Sequence, residues 1–328
     1  MTLPHRRKNF SHPRVLDMDR QTWNQFILEH GPRSGRFLQS WEWGTFQQAV
    51  GETVRRETFE EHGKLVGLAQ WVDRRATRFF RYAYCPKGRV GAWQPRPDSS
   101  IFLRVEPSVL QGSVQARKSI DLSPAHTRVT DLMMTEDTLL DDMHSKTRYN
   151  IRVAQKHAVH VEINSTNFSS AWDLFEQTAS RGQFRLHARG YYEKMLASLS
   201  GDCRTFLATA SHEGKLLAAN IMIDFGDTRT YLHGASSNAH RELMAPYLLH
   251  WELLRDAKEH GLAFYDWWGV APEGAPDDHP WTGISRFKRG FPGVEYASPG
   301  TYDLVLQPLP YNLYQLGRSL IRIVRRYV

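Results

Sequence analysis

Runs rich in β-forming residues flank the same Gly-Lys-Leu turn in two segments of the chain. The turns begin at Gly63 and Gly214. Such runs predict strands, and a glycine-containing turn between two of them predicts a hairpin. The pattern therefore predicts one β-hairpin in each half of the chain, as part of a weak internal repeat. The runs that flank the two turns are residues 55–59, 65–72, 205–210 and 216–225.

The repeat continues beyond the two hairpins. A further aromatic-rich strand is predicted at 78–84 in the first half and at 228–233 in the second. Apolar residues with helical spacing predict helices over 40–50, 169–180 and 242–260, and a strand over 262–267 follows the last helix. Two copies of one α/β module, built around mixed sheets, explain this order.

The order of elements resembles the acyltransferase fold of the GNAT superfamily. Members of that superfamily bind acetyl-CoA through a loop of the pattern Q/R-x-x-G-x-G/A, and this sequence contains no match to it. The resemblance therefore implies an acyltransferase fold, while the missing loop argues against acetyl-CoA as the donor.

Composition and charge limit the classes of molecule that the protein is expected to bind. The 328 residues carry a formal net charge of +7, which favours nucleic acid, anionic lipid headgroups or phosphorylated substrates over an indifferent basic surface. No apolar run approaches the roughly 20 residues of a membrane span, and residues 1–10 lack the apolar stretch of a secretory signal. Cys85 and Cys203 have no metal-ligand spacing, so we expect a reduced cytoplasmic protein without a structural disulfide.

Three basic segments are candidates for binding anions. In segment 144–156, Arg148 and Arg152 share one face of a predicted helix, which is either an anion-binding edge or a solvated face. Segment 178–192 combines arginines and tyrosines beside a glycine, a composition suited to phosphate or carboxylate. Segment 281–291 alternates basic and aromatic residues, which predicts a strand. This strand either binds a phosphodiester chain or is an edge strand with basic residues on its outer positions.

Six short motifs in a fixed order resemble the FemABX family, whose members are aminoacyl-tRNA-dependent transferases that build peptidoglycan cross-bridges. The motifs are Leu38-Gln39-Ser40 with Trp43, Lys146-x-Arg148-Tyr149-Asn150-Ile151-Arg152, Thr178-x-x-Arg181, Gly234-Ala235-Ser236-Ser237, Tyr265-Asp266-x-x-Gly269 and Arg286-Phe287-Lys288-x-Gly290-Phe291. The resemblance implies an α/β fold of two tandem GNAT-like acyltransferase domains with mixed sheets. The chain is too short for a coiled-coil arm, so it is similar to the compact FemX-like type. The expected domains are residues 1–140 with 301–328, and residues 141–300.

The resemblance also implies a reaction. An amino acid would move from aminoacyl-tRNA to the side-chain amine of a peptidoglycan precursor, which is either UDP-linked or lipid-linked. Because the substrate amine is the nucleophile, the enzyme needs a deprotonated amine, donors for an oxyanion and a site for the tRNA terminus. We expect neither a metal nor a cofactor.

On the donor side, the resemblance implies that Lys288 lies beside the tRNA acceptor end, at the ester carbonyl or at the terminal phosphates. Phe287 would be its aromatic neighbour. Arg286, Arg148 and Arg152 are the further candidates for binding tRNA. Lys288 is therefore the first candidate for a catalytic role.

On the acceptor side, Arg181, Tyr191 and Tyr192 are expected to hold the phosphates and sugar of the precursor, and Trp43 is the expected contact from the first domain. The carboxylate that the family uses in proton handling is missing from its usual motif here. Glu106 is the substitute candidate, and the alternative is that it is a surface acid at the end of a strand.

The last residues have two interpretations. Residues 304–310 are expected to return to the first domain, and 311–328 to form a helix with Leu313 and Leu316 opposite arginines such as Arg318. A basic amphipathic helix is typical of peripheral membrane contact, here at the inner face of the membrane, but packing on the first domain explains the apolar stripe equally well.

Two alternatives to the tRNA-dependent transferase stay open. One is a GNAT-like acyltransferase that uses another acyl donor in envelope polysaccharide biosynthesis or export. The other is a protein that binds tRNA or lipid without catalysis.

Overall fold

The computed structural model describes residues 18–92, 99–108 and 116–324. Its contacts divide the chain into two compact units, unit 1 (Met1–Ser123 with Pro299–Val328) and unit 2 (Pro124–Ser298). The expectation for residues 1–10 and the last four residues of the expected C-terminal helix lie outside the described residues. Among the described helices, none has both the length and the apolar character that crossing a bilayer requires.

Each unit combines helices with a sheet. The described helices are α1 (Arg20–His30), α2 (Trp41–Ala49), α3 (Glu136–Asp141), α4 (Ser145–Lys156), α5 (Phe168–Gly182), α6 (Arg189–Ser198), α7 (Ala245–Glu259), α8 (Thr282–Arg289) and α9 (Pro308–Val324). The strands are β1 (Thr53–Glu61), β2 (Lys64–Arg75), β3 (Arg81–Cys85), β4 (Val90–Gly91), β5 (Phe102–Val105), β6 (Ala116–Lys118), β7 (His126–Asp131), β8 (His160–Ile163), β9 (Cys203–His212), β10 (Lys215–Phe225), β11 (Thr228–Ser236), β12 (Phe264–Gly269), β13 (Val294–Ala297) and β14 (Tyr302–Val305).

The two sheets repeat one pattern of strand directions. Unit 1 has the order β1-β2-β3-β5-β14-β6, with β4 beside β2, and unit 2 has the order β8-β9-β10-β11-β12-β7-β13. From β1 and from β9 onward, successive pairings are antiparallel, antiparallel, parallel, antiparallel and antiparallel in both units. The mixed α/β class is confirmed, and among the described residues of unit 2 no helix exceeds 15 residues.

The repeated Gly-Lys-Leu motif forms the same tight turn in both units. His62 and Gly63 have φ values of 52° and 73°, and Glu213 and Gly214 have 48° and 77°. Positive φ at both central residues defines the type I′ turn, whose twist matches that of the strands it joins. Both hairpins predicted from the runs that flank the Gly-Lys-Leu turns are therefore present, β1–β2 and β9–β10.

Side-chain N-caps fix the first residue of two of the three predicted helices. Ser40 and Asn167 accept hydrogen bonds from the backbone N–H groups three residues later, so α2 and α5 begin within a residue of the predicted positions. The helix predicted over 242–260 starts later, at Ala245. A 3₁₀ turn over Arg241–Leu243 precedes it, and Met244 has a φ of 53°, which interrupts the helix.

The boundaries of the two units differ from the expected 140 and 300. Strand β7 pairs with β12 and β13, so unit 2 begins at Pro124, one strand earlier than expected. At the other end, β14 joins the sheet of unit 1 between β5 and β6. A buried ion pair fixes this return, because Arg104 on β5 donates two hydrogen bonds to Asp303 on β14 at 2.7 and 2.9 Å.

Glu106 follows β5 and is buried, so the alternative of a surface acid is wrong. One carboxylate oxygen accepts hydrogen bonds from the Tyr84 hydroxyl at 2.8 Å, the Ser123 N–H at 2.8 Å and the Thr301 hydroxyl at 3.3 Å. The other accepts from the Lys87 N–H at 3.0 Å. The carboxylate therefore joins four separate segments of unit 1.

We predict that Glu106→Ala lowers the free energy of unfolding by about 3 kcal/mol, because it leaves buried donors without an acceptor. Chemical denaturation measures the effect. The exposed Glu29→Ala serves as control and should change stability by less than about 0.5 kcal/mol. Equal stability of the Glu106 variant and the wild type would contradict the structural role.

Candidate functional site

The site begins where two parallel strands of unit 2 separate. Strands β11 and β12 pair at three positions, from Thr228 opposite Phe264 to Thr230 opposite Asp266. Beyond them β11 stays paired with β10 as far as Ser236, whereas β12 follows β7 through an irregularity before Gly269. The two strands therefore diverge and leave a wedge-shaped opening in the sheet.

Aromatic side chains and one lysine fill the narrow end of this wedge. The Tyr231 and Trp267 rings lie 4.4 and 4.8 Å from the His250 ring, centroid to centroid. The Lys288 ammonium lies 5.3 Å from the centroid of the Tyr231 ring. Of these side chains, Tyr231 and His250 also line a cavity.

The cavity has a volume of about 700 Å³, and every described residue that lines it belongs to unit 2. Its walls carry the cations Arg181 and Arg241, and the described residues that line it include no aspartate or glutamate. The described lining also includes aromatic rings, those of Phe184, Tyr231, Tyr247 and Phe287. A cavity with cations and aromatic rings but no carboxylates suits a ligand that carries phosphate and a flat ring.

Four of the six motifs meet at this cavity. Residues 234–237, at the end of β11, line it together with Asn150, Thr178, Arg181 and Phe287. The guanidinium of Arg181 donates to the Ser236 carbonyl at 3.1 Å and to the Thr178 hydroxyl at 3.4 Å. The Arg181 side chain is exposed, but these two hydrogen bonds fix the orientation of its guanidinium group.

Segment 281–291, predicted as a strand, is instead the helix α8. Basic and aromatic residues alternate only locally, and over two turns the helix directs Ser285 and Lys288 inward while Arg286 stays exposed. The Ser285 hydroxyl accepts from the Ala271 N–H at 2.7 Å, and the Lys288 ammonium donates to the Gly269 carbonyl at 2.7 Å. Both contacts join α8 to the segment at the end of β12.

Lys288 is only 5% exposed. Burial lowers the pKa of Lys288 to about 7, and the nearby Asp266 carboxylate opposes that shift. Lys288 is not among the described residues that line the cavity, whereas its neighbours Phe287 and Tyr231 are. Its ammonium therefore lies one side chain behind the cavity wall, in equilibrium between charged and neutral forms near neutral pH.

His250 is a cavity residue that the sequence analysis missed. Its Nδ1 lies 2.8 Å from the Tyr265 hydroxyl, and its Nε2 lies 3.2 Å from the Asn220 amide nitrogen. Burial, with the charge of Lys288, lowers the pKa of His250 to about 3, so the ring is neutral at physiological pH. In the sequence, His250 lies among the apolar residues of α7. That pattern predicts a core residue and does not indicate a polar network.

The other acceptor-side candidates are not among the described residues that line the cavity. Tyr192 is buried, its ring stacked on Phe175 at 6.1 Å, and Tyr191 stacks on His187 at 4.1 Å. In unit 1, the buried Trp43 ring contacts Phe37 at 5.2 Å. These contacts place Tyr192 and Trp43 in the hydrophobic interior of their own units.

The three remaining donor-side candidates differ in accessibility. Arg148 donates to the Leu140, Asp141 and Met143 carbonyls, so its guanidinium holds the C-terminal end of α3. Arg152 and Arg286 are exposed. Within the described ranges, no cluster of three or more His, Cys, Asp or Glu side chains could hold a metal ion, and both cysteines are free and buried.

We predict that Lys288 makes stability depend on pH. Its pKa is about 7 in the folded protein against 10.5 when solvated. Between these values the unfolded chain binds more protons, so the free energy of unfolding rises with pH, by at most about 1.4 kcal/mol per pH unit. Urea unfolding from pH 6 to 10 should show wild type gaining stability relative to Lys288→Met. If the difference in the free energy of unfolding between wild type and Lys288→Met does not change with pH, the lowered pKa of a buried Lys288 is contradicted. Lys146→Met is the control, because Lys146 is exposed.

Comparison with known proteins identifies the family. A family model described as the FemAB family matches residues 114–216 and 201–318, more than half of the chain. The lipid II:glycine glycyltransferases of Staphylococcus epidermidis and Staphylococcus haemolyticus are 20% and 18% identical to it. Each alignment covers 95% of this chain and 98% of the relative. The first alignment spans 413 positions, more than the chain has residues, so that relative carries segments without a counterpart here.

The fold agrees with this match. The crystal structure of FemX superposes with a TM-score of 0.76 at 17% sequence identity, over 91% of this chain and 98% of FemX. Because identity is low, the superposition shows the fold alone. The family model and the shared fold confirm the resemblance drawn from the six motifs. The chain therefore belongs to the FemAB family.

Proposed function

We propose that this chain is an aminoacyltransferase that moves an amino acid from aminoacyl-tRNA to the side-chain amine of a peptidoglycan precursor. Family membership and glycyltransferase relatives make it a transferase that acts on an amino acid. The observation that carries the finer proposal is the cavity of unit 2, which is lined by two arginines and several aromatic rings and has no lining carboxylate among the described residues.

The proposal assigns two groups of cavity residues to different parts of the substrates. Arg181, oriented by the Ser236 carbonyl, marks the phosphate end. Phe287 marks the reacting end, with Lys288 buried behind the cavity wall against Tyr231. The guanidinium suits phosphate, and the aromatic ring with the lysine suits the reacting groups.

At the phosphate end, we assign Arg181 to the phosphates of the precursor. Its guanidinium is already oriented by the Ser236 carbonyl, so binding costs little side-chain entropy. The names of the relatives favour a lipid-linked precursor over a UDP-linked one, because the relatives are lipid II glycyltransferases.

At the reacting end, we assign Phe287 to the terminal base or ribose of the tRNA and Lys288 to the ester carbonyl. The amine attacks that carbonyl, a C–N bond forms and the C–O bond to the ribose breaks. The amine proton passes to the departing ribose oxygen, which leaves as a hydroxyl. Negative charge develops on the carbonyl oxygen during the attack, and a nearby ammonium stabilises it. A lysine with a pKa of about 7 can also exchange protons at neutral pH.

The experiment that tests the function offers the purified chain three combinations of donor and acceptor. Charged tRNA with lipid-linked or UDP-linked precursor should yield the aminoacylated precursor, and ribonuclease treatment of the donor should abolish it. Transfer from an acyl-CoA but not from charged tRNA would support the GNAT-like alternative. Binding of charged tRNA without any transfer would support a non-catalytic protein.

We predict that Arg181→Ala raises the KM for the precursor by about 10- to 150-fold, the loss expected for one charge-assisted contact. The KM for charged tRNA should change far less. Arg185→Ala is the matched control, because Arg185 is an exposed arginine of the same segment and does not line the cavity. An unchanged KM for the precursor, or equal effects of the two substitutions, would remove Arg181 from the site.

A further inference from the structure

Helix α4 borders the cavity of unit 2. Asn150 lies on this helix and lines the cavity. Lys146 lies four residues earlier in the same helix, so the Lys146 and Asn150 side chains are neighbours on its surface. Lys146 is exposed, whereas Asn150 is half-buried. The exposed surface of α4 therefore begins directly beside the cavity.

The outward face of α4 carries three cations and one aromatic ring. Thr147, Ile151 and Ala154 are buried, so they are the face that attaches the helix to unit 2. At 100° per residue, the opposite face is a sector of about 120° centred on Tyr149. Tyr149 is 62% exposed. We call the exposed residues of this sector the basic face of α4, and they are Lys146, Tyr149, Arg152 and Lys156.

The cations of the basic face are unpaired in the part of the chain that the structure describes. No described residue forms an ion pair or a side-chain hydrogen bond with Lys146, Arg152 or Lys156. Residues 143–161 contain no aspartate or glutamate, and the nearest carboxylates in the sequence, Asp142 and Glu162, precede and follow the helix. From residue 146 to residue 156 the helix rises by about 15 Å. Unpaired positive charge over this length attracts a chain of phosphates.

The composition of the basic face fits RNA better than a bilayer. Peripheral binding to a bilayer requires large apolar side chains that enter it. Among the described residues of α4, Tyr149 is the one large hydrophobic side chain that is exposed. Lysine and arginine side chains bind the phosphates of RNA, and a tyrosine hydroxyl can donate to a phosphate or bind a ribose 2′-hydroxyl.

We propose that the basic face of α4 binds the acceptor stem of the tRNA whose 3′ end enters the cavity. This assignment rests on the proposed function, which places the terminal base or ribose of the tRNA at Phe287. The single-stranded 3′ end lies in the cavity, and the stem leaves it past Asn150 and Lys146. Its backbone phosphates then follow the basic face. Contacts to phosphates carry no sequence information, so the face holds the stem without selecting among tRNA sequences.

Binding of an uncharged RNA hairpin tests this face without any transfer reaction. A labelled hairpin that consists of an acceptor stem and its single-stranded 3′ end should bind the full-length protein. Lys146→Gln/Lys156→Gln should weaken binding by about 10-fold or more at about 0.1 M salt. The slope of log Kd against log salt concentration should fall by about 2, one for each lost phosphate contact. Glutamine forms helices about as well as lysine, so α4 should stay folded.

Lys64→Gln/Lys215→Gln is the matched control. It removes the same number of charges from two exposed lysines, at the first residues of β2 and β10. Neither lysine lines the cavity or lies on α4. The control should bind the hairpin like wild type, with the same dependence on salt.

A shorter RNA separates the basic face from the cavity. The single-stranded 3′ end alone should bind wild type, the control and the Lys146→Gln/Lys156→Gln variant equally, because it does not reach the basic face. If transfer from charged tRNA is absent, the proposed function fails, whereas hairpin binding that depends on these two lysines would still show a stem site.

Three results would overturn the stem site. The first is equal affinity of the hairpin for the Lys146→Gln/Lys156→Gln variant and the control. The second is an equal loss of affinity for the hairpin and for the single-stranded 3′ end. The third is flotation with anionic vesicles that depends on these lysines while hairpin binding does not, which would identify a lipid surface instead.

Discussion

Strands β11 and β12 are hydrogen-bonded at three positions and then separate, and the candidate site depends on that separation. A sheet that continued to pair beyond Thr230 and Asp266 would satisfy both backbones and leave no opening. Instead β11 stays on β10 and β12 on β7, so each strand keeps one partner while the edges between them diverge. Side chains from α7 and α8 enter the gap, and the cavity forms above them.

Two buried cations show how the paired and the open parts of these strands differ. Arg229, in the paired part, is fully buried and donates to the carboxylates of Asp224 and Asp256, so its charge is matched. Lys288, at the open part, donates to one backbone carbonyl instead of a carboxylate, and burial lowers its pKa to about 7. The first arrangement stabilises the sheet. The second keeps a lysine ready to exchange its proton, which is the property that the proposed transfer needs.

The sequence predicted what depends on local patterns and missed what depends on packing between distant segments. The turns at Gly63 and Gly214 follow from residues that adopt positive φ, so both hairpins could be predicted. Lys288 could be selected from its motif, but its segment was predicted as a strand because alternation over a few residues does not separate a strand from a helix. His250 stayed hidden in an apolar helix, since only the fold brings it against Tyr265.

The proposed function requires that the cavity above the diverging strands receives the aminoacyl end of tRNA. A crystal structure with a short acceptor-stem RNA, carrying its amino acid through a hydrolysis-resistant amide, tests this most directly. We predict the terminal nucleotide against Phe287 and the amide carbonyl on the side of Lys288. An analogue bound elsewhere, with the cavity empty or occupied only by solvent, would contradict it.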